Sequence, residues 1–128
     1  MESSEKPRIV SLGAGRYYKD LSKLRMDTGA YVAAFEFCLG VKAINFGKPS
    51  EAFFRESLDL VGGSPDDTVM IGDDIVSDVG GAQRLGMRGF LVRTGKYKKS
   101  DETELGYTAD HVFDNLKEAI ETIISQQS

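Results

Sequence analysis

Between Thr68 and Asp78 an apolar run, Val69-Met70-Ile71, stops at a glycine and gives way to three carboxylates, Asp73, Asp74 and Asp78. The run is short and ends in turn residues, so Thr68–Ile71 is expected to form a buried strand, with the Gly72-Asp73 step leaving both acids at its carboxyl end. In α/β sheets that is the end where ligands bind. A helical pattern, Val79 to Leu85, follows, with Asp78 at its start and Gly86 closing it. Two readings are open on these residues alone. Asp73 and Asp78 can converge from a strand end and a helix start on a hard cation such as Mg²⁺, or the acids form a solvated turn followed by an Asp N-cap.

The remainder of the chain alternates strand and helix signals. Ile9–Leu12 is a short strand candidate ending in Gly13-Ala14-Gly15, and Arg16 to Arg25 reads as a polar loop. Thr28 or Asp27 can cap a helix from about Ala30 to Leu39, with Val32, Phe35 and Leu39 at helical spacing and Gly40 at its end. Ala43–Phe46 is a second strand candidate. Ser50 then caps a helix whose Phe54, Leu58 and Val61 share a face, stopped by Gly62-Gly63. Beyond the acidic segment the pattern predicts a strand at Gly89–Val92, a loop from Arg93 to Ala109, a brief strand at His111–Phe113 and a last helix lined by Leu116, Ala119, Ile120, Ile123 and Ile124. This alternation argues for an α/β fold with a parallel sheet.

Charge and cysteine content narrow the setting. Sixteen basic and 20 acidic residues leave a net charge of −4, and the basic residues are scattered apart from Lys96, Lys98 and Lys99, so no nucleic-acid partner is expected. With Cys38 as its single cysteine the chain forms no internal disulfide, and a reducing, cytoplasmic compartment is the expectation. Met1 to Pro7 is polar and lacks the apolar stretch of a secretory signal, and no run is long enough to span a bilayer, so no membrane association is expected.

Several motifs point elsewhere and are set aside on physical grounds. Gly13-Ala14-Gly15-Arg16-Tyr17-Tyr18 opens like a dinucleotide-binding turn, but bulky Tyr18 stands where the third glycine would allow close helix–strand packing. Asp27-Thr28-Gly29-Ala30 reproduces the tetrapeptide of retroviral-type aspartic proteases, yet a helix pattern follows it, so a cap is the simpler role. His111, the only histidine, lies among apolar residues without a serine motif or a metal partner nearby. A receiver domain also uses acids at strand ends, but its Lys-Pro follows the acids, whereas Lys48-Pro49 precedes them here.

Taken together, Gly13-Ala14-Gly15-Arg16-Tyr17-Tyr18-Lys19, Gly47-Lys48-Pro49-Ser50, Met70-Ile71-Gly72-Asp73-Asp74, Gly80-Gly81-Ala82-Gln83 and Arg93-Thr94-Gly95-Lys96-Tyr97 resemble the C-terminal part of a haloacid dehalogenase (HAD) superfamily phosphatase. The likeness runs from about Arg8 to the last helix. It implies an α/β fold with a Rossmann-like HAD core and a parallel sheet. In it, residues 1–46 correspond to the end of a cap domain and residues 47–128 to the C-terminal half of the catalytic core. It also implies a small phosphorylated substrate, pyrophosphate or a phosphoamino acid, whose phosphoryl group passes to an aspartate and then to water, with Mg²⁺ as cofactor. Lys48 matches the family lysine that offsets repulsion between nucleophile and phosphate. Asp73 matches the direct Mg²⁺ ligand, and Asp74 and Asp78 the rest of the acidic loop. Arg16, Tyr17 and Tyr18 remain as candidate substrate contacts.

One family motif is missing from this sequence. The nucleophile strand ends in Asp-x-Asp, and Asp20, Asp27 and Asp59 do not lie in such a motif. The expectation is therefore a fragment or short isoform that carries half of an active site and is inactive alone. The reading from another class is a non-catalytic module that binds a metal or a protein partner. Without a neighbouring nucleophile strand the Thr68–Ile71 edge invites pairing. Either self-association into a homodimer or a rearranged Ile9–Leu12 strand would cover it.

Overall fold

The computed structural model describes residues 6–103 and 106–126; the polar start at residues 1–5 and residues 104–105 of the expected Arg93 to Ala109 loop lie outside them. Its centre is a parallel sheet of three strands, β5 (Val69–Gly72), β6 (Arg88–Val92) and β7 (His111–Phe113), in the order β5-β6-β7. The registers Ile71↔Phe90 and Leu91↔Val112 set the strand ends level. Strands alternate their side chains between faces, and β6 divides accordingly. Phe90 and Val92 pack with Phe113 and Ala119 on one side, where Val69, Ile71 and Ile123 join them. Leu91 packs on the other with Ile75 and Val79. A further cluster of Phe54, Leu58, Ala82 and Met87 lies under the second helix. Each fully buried large side chain here, such as Phe54, Ile75, Val79 or Leu91, contributes about 1.5–3 kcal/mol of transfer free energy.

Preceding this sheet are β1 (Val10–Ser11), a hairpin of β2 (Tyr17–Asp20) and β3 (Lys23–Met26), helix α1 (Thr28–Leu39), β4 (Ile44–Asn45) and helix α2 (Glu51–Val61). Local chemistry sets the helix ends as expected. Asp27 accepts from Thr28 N at 2.7 Å at the start of α1, Ser50 Oγ accepts from Phe53 N at 3.3 Å in α2, and Gly40 and Gly62 close them. A π-helical turn (Ile75–Gly80) runs into a short helix α3 (Gly81–Gln83) after β5. A 3₁₀ turn (Lys99–Glu102) precedes β7, and α4 (Leu116–Gln126) follows it.

Four expectations need correction. The segment Arg16 to Arg25 is mostly a hairpin, not a loop, with Tyr17 paired to Met26 and Asp20 to Lys23. Its two-residue turn places Leu21 at φ 53, a conformation usually signalled by Gly, Asn or Asp, so the turn carries no sequence mark. The acidic-loop helix starts at Ile75, not at Asp78, because Asp74 Oδ1 accepts from Val76 N and Ser77 N at 3.0 Å each. Asp74 is thus the cap, and Asp78 is buried inside the turn. The expected apolar face of α1 is not covered among the described residues: Phe35 and Leu39 are exposed, as is Val61 at the end of α2. Finally, Val10–Ser11 pairs in parallel with Ile44–Asn45 and does not cover β5.

Candidate functional site

The carboxyl end of β5 opens into a cleft of about 250 Å³ where Lys48, Asp73, Asp74, Ser77, Asp78 and Lys96 meet Gly13, Asp27 and Thr28. Lys48 arrives from the loop after β4, whose backbone is held from two sides. Asn45 Nδ2 donates to Gly47 O at 3.0 Å and Gly47 N to Asn45 Oδ1 at 3.1 Å, while Ala14 N donates to Lys48 O at 3.2 Å. From there Lys48 Nζ reaches Asp78 Oδ1 at 2.6 Å. The Asp78 side chain is 4 % exposed and that of Lys48 40 %, so the ammonium group stands at the rim over a buried carboxylate. Asp78 Oδ2 also accepts from Asp74 N at 3.1 Å. A Cβ at Gly72 would overlap that carboxylate, and the absence of a side chain at this step lets Asp78 fold back under the strand end.

Asp74 is engaged twice. One oxygen caps the π-helical turn and the other lies 2.5 Å from Lys96 Nζ. Burial raises the Asp74 pKa, but the Lys96 ammonium group and the Ser77 N–H outweigh it and the net direction is down. Lys96 shows the mirror case. Burial disfavours its charge, yet Asp74, then Asp73 and Asp78, raise it above the ordinary lysine value. Asp73 Oδ2 accepts the Lys96 backbone N–H at 2.8 Å. The turn that carries Lys96 is braced from behind by Glu102, which takes the Tyr97 hydroxyl at 2.5 Å and Arg93 Nε at 3.0 Å, and by Asp114, which takes Arg93 Nη1 at 2.9 Å.

Of the sequence-derived candidates, the structure brings Lys48, Asp73, Asp74 and Asp78 to one cleft. Arg16 and Tyr17 line an adjoining hollow of about 100 Å³ together with Asp73, Asp74 and Lys96. Tyr18, on the opposite face of β2 from Tyr17, does not line it and is 46 % exposed. Two charged residues of the cleft lining, Lys96 and Asp27, are not among the sequence-derived site residues. Lys96 lies within the Arg93–Tyr97 motif, where a glycine followed by lysine after a strand end was the available signal. Asp27 was read only as a helix cap, a role it keeps while facing the lysines across the cleft.

The acids offer hard oxygen donors, which suit Mg²⁺ in kind. Among the described residues no three His, Cys, Asp or Glu side chains gather to hold a metal by themselves. A cation here would complete its shell with water, phosphate oxygens or another carboxylate. Among the described residues no helix is long and apolar enough to cross a membrane.

A family model described as HAD-hydrolase-like matches residues 45–119. The chain is 52 % identical over 120 residues to phospholysine phosphohistidine inorganic pyrophosphate phosphatase of Homo sapiens, covering 94 % of this chain and 44 % of that protein. It is 40 % identical over 119 residues to haloacid dehalogenase-like hydrolase domain-containing protein 2 of Bos taurus, covering 84 % of this chain and 46 % of the relative. The chain thus spans less than half the length of these relatives. Its fold is similar to that of p-nitrophenyl phosphatase from Archaeoglobus fulgidus, with a TM-score of 0.78 and 28 % identity over 90 % of this chain and 46 % of the other.

Proposed function

The chain belongs to the HAD-like hydrolase family, and from that premise we propose that it carries the lysine and acidic-loop half of a Mg²⁺-dependent phosphatase acting on small phosphorylated compounds. In this reading residues 1–46 are the end of a cap and residues 47–128 the C-terminal half of the catalytic core. The observation that carries it is the Lys48–Asp78 pair, 2.6 Å at the mouth of a cleft that Asp73 and Asp74 also line.

The charges argue for a cation. Asp27, Asp73, Asp74 and Asp78 face Lys48 and Lys96 across this cleft, so its side chains are formally negative and repel an incoming phosphate. Asp73 would be the direct ligand of Mg²⁺, with Asp74 and Asp78 holding its water shell. The bound ion would supply the positive charge that draws and neutralises phosphate oxygens. Lys48, held in place by Asp78, presents its ammonium group to the same phosphate and offsets the approach of a carboxylate nucleophile. Arg16 and Tyr17 lie where the rest of the substrate would sit. The names of the relatives suggest pyrophosphate, phospholysine or phosphohistidine as substrates, and transfer would proceed through an aspartyl-phosphate.

Binding of inorganic phosphate, followed by calorimetry with and without Mg²⁺, tests this reading. We expect phosphate to bind only with Mg²⁺, and Asp73→Asn and Lys48→Met each to weaken it at least about tenfold, the loss of one charge-assisted contact. Binding that ignores both substitutions would sink the proposal. Because this sequence contains no Asp-x-Asp strand, the chain alone should not turn over an aryl phosphate. Purified turnover that Lys48→Ala abolishes would make one of the aspartates present, Asp27 of the cleft lining among them, the nucleophile. The second reading, a non-catalytic metal- or protein-binding module, is favoured by the same missing strand. It predicts Mg²⁺ binding at the acidic loop with no linked phosphate binding.

A further inference from the structure

The hairpin β2–β3 forms its own two-stranded sheet, and no strand of the central sheet pairs with it. Its position against the acidic loop therefore depends on contacts outside the sheet ladders. Lys96 supplies one: both its polar ends are anchored to the acidic loop, and its Nζ also reaches the hairpin. Its backbone N–H donates to Asp73 Oδ2 at 2.8 Å, and its Nζ lies 2.5 Å from Asp74 Oδ2. The same Nζ donates to the main-chain carbonyl of Tyr17 at 3.2 Å, 79 residues away in sequence. It also sits 5.8 Å from the centre of the Tyr17 ring, against which Lys98 Nζ stands at 4.3 Å. The Lys96 side chain is 18 % exposed and that of Asp74 16 %, so the bridge is largely shielded from water and from salt.

From this bridge we propose that Lys96 is a positioning residue of the site: its ammonium group ties the hairpin wall at Tyr17 to the acidic loop at Asp74, and its backbone N–H orients Asp73. The role in positioning a substrate rests on the phosphatase reading above; the tie between hairpin and loop does not. A lysine suits the task because one compact ammonium group carries three donors, enough for a carboxylate and a carbonyl together. Lys98, by contrast, touches the ring face and holds no carboxylate of the loop, so it serves as an internal control.

Amide hydrogen exchange on the full chain, comparing wild type with Lys96→Met, Lys96→Arg and Lys98→Met, tests the proposal. In Lys96→Met the amides of Tyr17 to Asp20 are expected to exchange at least about tenfold faster, the loss of a local closing contact, while those of Phe90 to Val92 keep their rates. Lys96→Arg, which retains the charge, should restore most of the protection, and Lys98→Met should leave the hairpin near wild type. Unchanged hairpin exchange in Lys96→Met would overturn the proposal. So would acceleration spread equally to β6, which would mark a general loss of stability, or failure of arginine to restore protection. Neither Mg²⁺ nor phosphate enters these measurements, so a failed phosphatase reading and a failed bridge give different results.

Discussion

At the scale of single residues, the site is built by close approaches that only particular side chains permit. Gly95 sits at φ 57 beside the Asp73 carboxylate, and a Cβ there would overlap it. Gly95→Ala is expected to cost about 1–2 kcal/mol for the left-handed backbone alone, and to push Asp73 out of place. Urea unfolding would measure the first effect and weakened Mg²⁺ binding the second. The Asp74–Lys96 pair carries a pH signature. Asp74 is held below its ordinary 3.8 in the folded state, so the unfolded chain binds more protons there as pH falls and the pair's contribution is lost through the folded value. Lys96 is held above its ordinary 10.5, so its contribution is present below that pH and lost as pH rises through the raised value. The pair is therefore intact across the neutral range. Asp74→Asn should flatten the acid limb of a plot of unfolding free energy against pH; an unchanged limb would assign it to other carboxylates.

Elements show where local rules suffice and where they fail. Helices α1 and α2 begin and end at residues whose side chains or conformations mark boundaries, since caps act within three or four residues of the chain. The hairpin is the opposite case. Leu21 at φ 53 is 93 % exposed, so it contributes no packing that would compensate its conformation within the described structure. Leu21→Asn, which tolerates the left-handed region, is expected to raise stability by up to about 1 kcal/mol. Thermal unfolding and slower exchange of Tyr18 and Lys19 would register it; a loss of stability would mean that Leu21 packs against something when the protein is in solution. The acidic-loop helix illustrates a third case, in which two adjacent acids compete for the same role. Asp74 caps and Asp78 is buried, a choice made by the partners that each finds, Lys96 and Lys48.

Across the whole molecule, apolar surface remains uncovered. Leu12, Tyr31, Phe35, Phe37, Ile44 and Phe46 are all more than half exposed, and β5 stands at the end of the strand order in its sheet. Large exposed apolar surface and an unpaired strand edge both favour association. We expect the chain to self-associate with rising concentration. Sedimentation at several concentrations would follow it, and exchange at Val69 to Ile71 should slow as the associated form grows. A monomer at every concentration, with rapid exchange at those amides, would refute this.

Much of the architecture is legible in the residues themselves. The short run ending in Gly72-Asp73-Asp74 announces a strand with acids at its carboxyl end, whereas Lys48 is marked only by its likeness to the family lysine and not by any local pattern. The strand and helix signals are local: hydrophobic period, caps and turn residues act over a few positions, and the sequence prints them in order. Which charges meet depends on where the folded chain returns. Lys48 matches a family residue that meets phosphate and Asp78 one that serves the metal, yet they pair with each other across 30 residues. Lys96 acquired its place by reaching Asp74 and, across 79 residues, the carbonyl of Tyr17. A backbone carbonyl has no residue identity to read, and an ion pair depends on where the chain returns. Local sequence marks the helices, most strands and the chemical groups at their ends, though not the β2–β3 hairpin; which of those groups share a cleft is set by packing, because proximity in space does not follow from spacing along the chain.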